Sequence, residues 1–137
     1  VSGAIGGGLC YALGARAAAP GAASFALMGD GTVGFHFAEF ETAARAGLPF
    51  VAVIGNDERW NAEHQIQLRD YGPERLIGCG LSRARYDLAA RGLGAHGEYV
   101  TELAALDEAL ARAVQSGKPA CVNVLIEGLP APSGAAH

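Results

Sequence analysis

Charge and aromatic rings are both scarce in this chain of 137 residues: 18% are charged, 7% are aromatic, and Lys118 is the single lysine. Nucleic acids and anionic membranes are bound by Lys and Arg gathered to neutralise phosphates. With a formal net charge of -4 and no basic cluster, neither partner is expected. No apolar run approaches the roughly 18 residues of a membrane-spanning helix. Cys10, Cys79 and Cys121 are odd in number, widely spaced and set in apolar sequence. That argues against a disulfide framework or a zinc site and for free buried thiols in a reducing compartment, so the cytoplasm is the expected location. Val1-Ser2-Gly3-Ala4-Ile5-Gly6 lacks an initiator Met and a basic leader, and reads as neither a signal peptide nor a natural start. The chain is therefore expected to be a piece of a longer polypeptide.

What is present is apolar and rich in tight turns: half of the residues are hydrophobic and 20 are glycine. A chain of this length can bury a core without staples, and residues 1–127 read as one domain. Residues 128–137, made of Gly, Pro, Ala and Ser around few others, read as a mobile tail.

Along the chain, residues 2–17 place Ile5, Leu9, Ala12 and Leu13 at helical spacing behind Ser2, a good N-cap, with Gly6, Gly7 and Gly8 permitting close approach of another backbone. Ser24 to Met28 is a short apolar run that predicts a buried strand ending at Gly29-Asp30-Gly31. A helix is expected from Val33 to Ala46, with Phe37, Phe40, Ala44 and Val33 as its stripe and Gly47 as its stop. Phe50 to Ile54 predicts a strand covered on both faces, ending in Gly55-Asn56-Asp57. Segment 57–80 is polar and aperiodic, too long for a plain linker, and reads as a functional loop or as partly helical. The pattern then predicts a helix from Arg85 to Arg91, a short strand from Gly97 to Val100, and an amphipathic helix from Thr101 or Glu102 to Gln115. In that last helix Leu103, Leu106, Leu110 and Val114 are expected to face inward, and Ala120 to Ile126 is the final strand. Strands alternating with helices predict a doubly wound α/β domain: a mostly parallel sheet with helices on both faces.

In such sheets ligands sit beyond the carboxyl ends of strands, where Gly29-Asp30-Gly31 and Asn56-Asp57 fall. A metal-bound phosphate needs backbone N–H groups for the anion and hard oxygen ligands for the cation. Gly29-Asp30-Gly31-Thr32 offers both, and Asp57 adds a second carboxylate. Asp-Gly is also a common hairpin turn. The helical pattern after Gly31 and the second polar strand end argue against a hairpin here.

The run from Gly29-Asp30-Gly31-Thr32 to Asn56-Asp57 resembles the thiamine-diphosphate signature of GDG followed, after a helix and a strand, by Asn-Asn. That signature belongs to the family of acetolactate synthase, 2-hydroxyacyl-CoA lyase, oxalyl-CoA decarboxylase and benzoylformate decarboxylase. Glu39 and Thr42, Gly47-Leu48-Pro49, and Ala120-Cys121-Val122-Asn123-Val124 extend the resemblance over nearly the whole chain. It implies thiamine diphosphate and Mg²⁺ as cofactors, with Asp30, Asp57 and the backbone carbonyl of Arg59 as metal ligands. Gly29, Gly31, Thr32 and Asn56 would complete the cofactor site. Asp57 replaces the family's usual Asn and adds negative charge beside a diphosphate, so Asn56 stands as the alternative ligand.

The resemblance further implies an enzyme that cleaves or forms C–C bonds next to a carbonyl, acting on a 2-oxo acid or 2-hydroxyacyl substrate as a homodimer or homotetramer. The activating Glu of the family sits on a pyrimidine-binding domain reached across a subunit interface, so no residue of this chain is assigned to catalysis, Glu39, Glu41 and Glu63 included. A non-catalytic cofactor-binding or assembly module, a fragment or a subunit of a split enzyme, is the alternative. A receiver-type domain is a weaker one, because Lys118 lies before the last strand, at the wrong end. Gly6-Gly7-Gly8 fails as a dinucleotide fingerprint, since Tyr11 takes the third glycine's place and no strand precedes it. His64 is the one histidine near the expected cofactor loop, but it has no visible partner. Trp60 and Tyr71 fit a substrate pocket and interface packing equally well.

Overall fold

In the computed structural model, which describes residues 4–130, four short segments pair into one parallel sheet. They are β1 (Phe25–Gly29), β2 (Val51–Asn56), β3 (His96–Val100) and β4 (Ala120–Leu125), in the order β1-β2-β4-β3. Register places Gly29 opposite Gly55 and Asn56 opposite Leu125, so the polar ends of β1 and β2 leave the sheet side by side. The helices are α1 (Gly8–Ala18), α2 (Asp30–Val33), α3 (Glu39–Ala46), α4 (Asn61–Tyr71), α5 (Tyr86–Gly92) and α6 (Leu106–Gln115).

Alternation along the strands divides the core in two. Ala52, Ile54 and Cys121 meet Leu9 and Ala12 of α1, Val33 of α2, Phe40 and Ala43 of α3, and Ala90 of α5. Val51, Ala120 and Val122 point the other way, onto Ala109 and Ala113 of α6. Helices thus cover both faces, the doubly wound α/β arrangement that the sequence predicts. Phe40 and Phe50 are fully enclosed and stack 5.6 Å apart, and each burial contributes roughly 1.5 to 3 kcal/mol.

Several expectations change. The first helix begins at Gly8, not near residue 2: Gly7 is its cap, Gly6 sits at φ 88°, and Ser2 lies outside the described residues. Side chains rather than another backbone press on these glycines, with Phe35 over Gly6, Tyr11 over Gly7 and Met28 over Gly8. The second expected helix starts earlier, at Asp30, and is broken by a 3₁₀ turn at Gly34–His36. Ala43 rather than Ala44 completes its buried stripe, and Gly47 ends it at φ 64° as read.

β1 was expected to be buried but is an edge strand. Leu27 is 85% exposed and Phe25 is open to solvent, because no strand among the described residues pairs with its outer edge and α6 lies over β3 and β4. A 3₁₀ turn at Leu103–Ala105 delays the start of α6, whose inward residues are Ala109 and Ala113. Leu103 and Val114 face solvent. Two alanines one turn apart let the helix lie close to the sheet, with Leu106 and Leu110 flanking the contact. Segment 57–80 is largely helical. α4 buries none of its residues, which is why no apolar period announces it.

All three cysteines are free; Cys79 and Cys121 are buried and Cys10 is half-buried. Burial pushes the Cys121 thiol far above its usual range, and the charge of Asp87 adds to this. Of the expected tail, residues 131–137 lie outside the described residues. Among the described residues no helix is long and apolar enough to cross a membrane.

Candidate functional site

At the end of β1, Gly29 is still extended, and the next residue turns into α2. That turn buries Asp30, which is only 2% exposed. Its Oδ1 accepts the Gly31 N–H at 2.9 Å, and its Oδ2 accepts the Arg59 N–H, arriving from the β2 end, at 3.2 Å. Burial pushes this carboxyl above its usual range, and the nearby charge of Asp57 adds to it. The amides of Gly31 and Arg59 oppose the rise. A buried carboxyl whose charged form is disfavoured, with a second acid beside it, forms a place where a cation is welcome.

Asp57 is half-buried and, with Asp30, Gly31, Thr32, Arg59 and Trp60, lines a cavity of about 600 Å³ at the carboxyl ends of the strands. Glu58, the next residue, is the one non-glycine among the described residues with positive φ, at 61°. Segment 79–81 grips the loop. The Trp60 N–H reaches the Cys79 carbonyl at 2.8 Å and the Leu81 N–H reaches the Glu58 carbonyl at 2.7 Å. Arg59 lies between these two bonds, and among the described residues its own carbonyl accepts none. The Arg59 guanidinium turns back to donate to the Asp57 carbonyl at 3.2 Å.

The sequence-predicted residues are therefore brought together, with two qualifications of role. Asn56 reaches the strand end but points away from the cavity. It is fully buried, its Nδ2 donates to Ala84 O and Asn123 Oδ1, and its Oδ1 accepts the Glu58 N–H. Both ends of its amide are thus engaged inside the protein. At Gly31, the N–H is already taken by Asp30. The lack of a side chain there serves Trp60, because a Cβ would stand 2.7 Å from the indole. Thr32 donates its hydroxyl to the Gly29 carbonyl at 3.0 Å. His64 is not in this cavity; it borders a neighbouring one of about 280 Å³ with Glu58 and Leu76 to Gly80.

The donor set fits a shared cation. Among the described residues no group of three or more His, Cys, Asp or Glu is placed to hold a metal unaided. Two carboxylates and one unengaged carbonyl instead suit Mg²⁺, which keeps several positions for phosphate oxygens and water.

Residues 1–124 match the family described as thiamine pyrophosphate enzyme, C-terminal TPP binding domain. The chain belongs to this family. As a TPP binding domain it is 41% identical over 125 residues to a protein of Mycobacterium bovis named probable acetolactate synthase, a match covering 91% of this chain and 23% of that protein. It is 37% identical over 128 residues to 2-hydroxyacyl-CoA lyase 2 of Caenorhabditis elegans, covering 89% and 19%. Among solved structures, the thiamine diphosphate-dependent 4-hydroxybenzoylformate decarboxylase of Rhodococcus jostii RHA1 superposes with a TM-score of 0.82 at 24% identity, over 90% of this chain and 23% of that one. That likeness carries the fold. The TPP binding domain thus spans less than a quarter of the length of these proteins.

Sequence reasoning missed the apolar wall of the cavity, to which Leu27, Val53, Leu106, Val124 and Ile126 contribute. These look like ordinary core positions in the sequence, and only the packing of the strands and α6 shows that they line a cavity. Asn123 and Asp87 were missed as well. For Asn123 a signal was available, a lone amide in the apolar run Ala120 to Leu125; Asp87 carries none, since the residues that follow it, Leu88 and Ala89, are exposed.

Proposed function

We propose that residues 1–127 hold Mg²⁺ and the diphosphate of thiamine diphosphate in the cavity at the ends of β1 and β2. The chain would do so as the C-terminal part of an enzyme that cleaves or forms a C–C bond next to a carbonyl, of 2-hydroxyacyl-CoA lyase or acetolactate synthase type. The observation that supports this reading is that Asp30, Asp57 and Arg59, whose carbonyl accepts no hydrogen bond among the described residues, line one cavity at the ends of adjacent parallel strands. When bound, the cofactor supplies an electron sink for the carbonyl chemistry. The two carboxylates and the carbonyl hold the cation, and the Gly29 to Thr32 turn brings backbone close to the diphosphate. Trp60 and the apolar wall exclude water, which strengthens these electrostatic contacts.

No residue here takes the catalytic role. The activating Glu belongs to a pyrimidine-binding domain of another subunit, in a homodimer or homotetramer acting on a 2-oxo acid or 2-hydroxyacyl substrate. Three free cysteines support a cytoplasmic location.

Calorimetric titration with thiamine diphosphate and Mg²⁺, singly and together, tests the reading in the full-length protein. Each ligand is expected to tighten the other. Asp57→Asn keeps or improves cofactor binding, since an amide still offers an oxygen to the metal and no longer repels the diphosphate. Asp57→Ala loses it, and an unchanged Mg²⁺-dependent affinity in that variant would reject the assignment.

A further inference from the structure

Beneath the cavity lies a second set of polar side chains that never reaches it. Asn56, Asn123 and Asp87 are 0%, 0% and 1% exposed, on β2, β4 and α5 respectively. Polar groups at that depth are tolerated only when bonded, and these are bonded to one another and to Ala84, Arg85 and Glu58. Both amide nitrogens donate to the Ala84 carbonyl, at 3.2 Å from Asn56 and 3.1 Å from Asn123. Asn123 Nδ2 also donates to Asp87 Oδ1 at 3.5 Å, and Asn56 Nδ2 to Asn123 Oδ1 at 3.1 Å. The remaining oxygen, Asn56 Oδ1, accepts the Glu58 N–H at 3.2 Å.

The polarity of this chain is fixed at its far end. Arg85 grips Asp87 with two bonds of 2.9 and 2.7 Å and lies 4.1 Å over the Tyr99 ring. An ionised carboxylate can only accept. Asn123 must therefore show Asp87 its NH₂ and turn its oxygen to Asn56. Asn56 in turn must give its NH₂ to Asn123 and its oxygen to the Glu58 N–H. That N–H belongs to the residue held at φ 61°, a conformation costly to a side chain with a Cβ. Asp57 precedes it and Arg59 follows it.

We infer that Asp87 is a positioning residue for the cofactor loop, acting through Asn123 and Asn56 to hold Glu58 in its left-handed conformation and so to present Asp57 and the Arg59 carbonyl to the cavity. The inference rests on the proposed cofactor site and assigns that site a support on the opposite side of β2. A purely structural role would couple Asp87 to stability alone. The positioning role couples it to the Glu58 amide and to the metal.

The test uses Asp87→Asn, an isostere whose NH₂ can reverse the polarity of the chain, with Glu98→Gln as control. Glu98 is an acid in an ion pair with Arg112, away from the cavity. Cofactor affinity at saturating Mg²⁺ is read by calorimetric titration of the full-length protein, and amide hydrogen exchange is read over residues 56–60. Asp87→Asn is expected to weaken cofactor affinity about tenfold, in the range of outer-shell partners of metal ligands. It also speeds exchange at the Glu58 amide, while Glu98→Gln changes neither.

Affinity and exchange as in the unaltered protein would overturn the inference and leave the cofactor site standing. No Mg²⁺-dependent binding in the unaltered protein would overturn both. Should Asp87→Asn fail to fold, Arg85→Gln removes the bidentate grip from a partly exposed position. The same shifts in smaller measure are then expected, and their absence would equally overturn the inference.

Discussion

Gly31 shows how a motif residue can be set by a neighbour far along the chain. The sequence explains it as room for a phosphate, yet its N–H is bonded to Asp30, and its bare Cα leaves room for the Trp60 indole, which Phe35 meets edge-on at 6.0 Å. Gly31→Ala puts a methyl group 2.7 Å from that ring, so the indole must leave its seat. The expected outcome is a red-shifted Trp60 emission and weaker cofactor binding with the fold retained; an unshifted spectrum would mean that the ring tolerates the methyl. Asp30 and Asp57 were legible as a pair because each ends an apolar run. The orientation of Asn56 was not, since nothing local says which of two adjacent polar residues faces a cavity. Its partners Ala84 and Asn123 are 28 and 67 residues away.

At the level of elements, contacts of backbone on backbone decide what residue types alone leave open. α5 packs on β3 so closely that a Cβ on Gly97 would lie 2.3 Å from the Asp87 carbonyl oxygen. A backbone atom cannot swing aside, so Gly97→Ala is expected to destabilise by about 1 to 3 kcal/mol, measured as a lower urea midpoint with an unchanged slope. The same change should disturb the Asp87 support of the cofactor loop, because the clash falls on that residue's own backbone. α6 teaches a related lesson. Its sequence offers a leucine stripe, and the sheet instead selects Ala109 and Ala113, because the shortest distance between helix and sheet belongs to the smallest side chains. The start of α2 at Asp30 was likewise not legible: two glycines around Asp30 argue for a turn, and only the bonds from Gly31 and Arg59 to its carboxylate hold it as a helix start.

For the whole molecule, acid stability follows from two carboxylates that tie elements together. Arg112 and His96 hold Glu98 of β3 below its usual range against the cost of burial. Burial pushes Asp87 up, but the hydrogen bonds of Arg85 and Asn123 and the Arg85 charge carry it below its usual range. Both groups bind protons more weakly folded than unfolded, so the stability they contribute is present above the ordinary carboxylate range, near pH 4, and is lost as the pH falls below it. Urea midpoints measured across that range should drop on acidification, and Arg112→Ala should flatten part of the drop; an unchanged slope would show that Glu98 contributes nothing to it. What the sequence by itself determined is the alternation of strands and helices, the two polar strand ends and the family they mark, since period, turn residues and motif are local properties. Tertiary structure alone decided which face of β1 stays open, that Asn56 is bonded in the interior while Asp57 lines the cavity, and that Asp87 and Asn123 are buried, with Asn123 in hydrogen-bond reach of both Asn56 and Asp87. Those outcomes depend on which distant backbones come within bonding distance, and no local pattern carries that information.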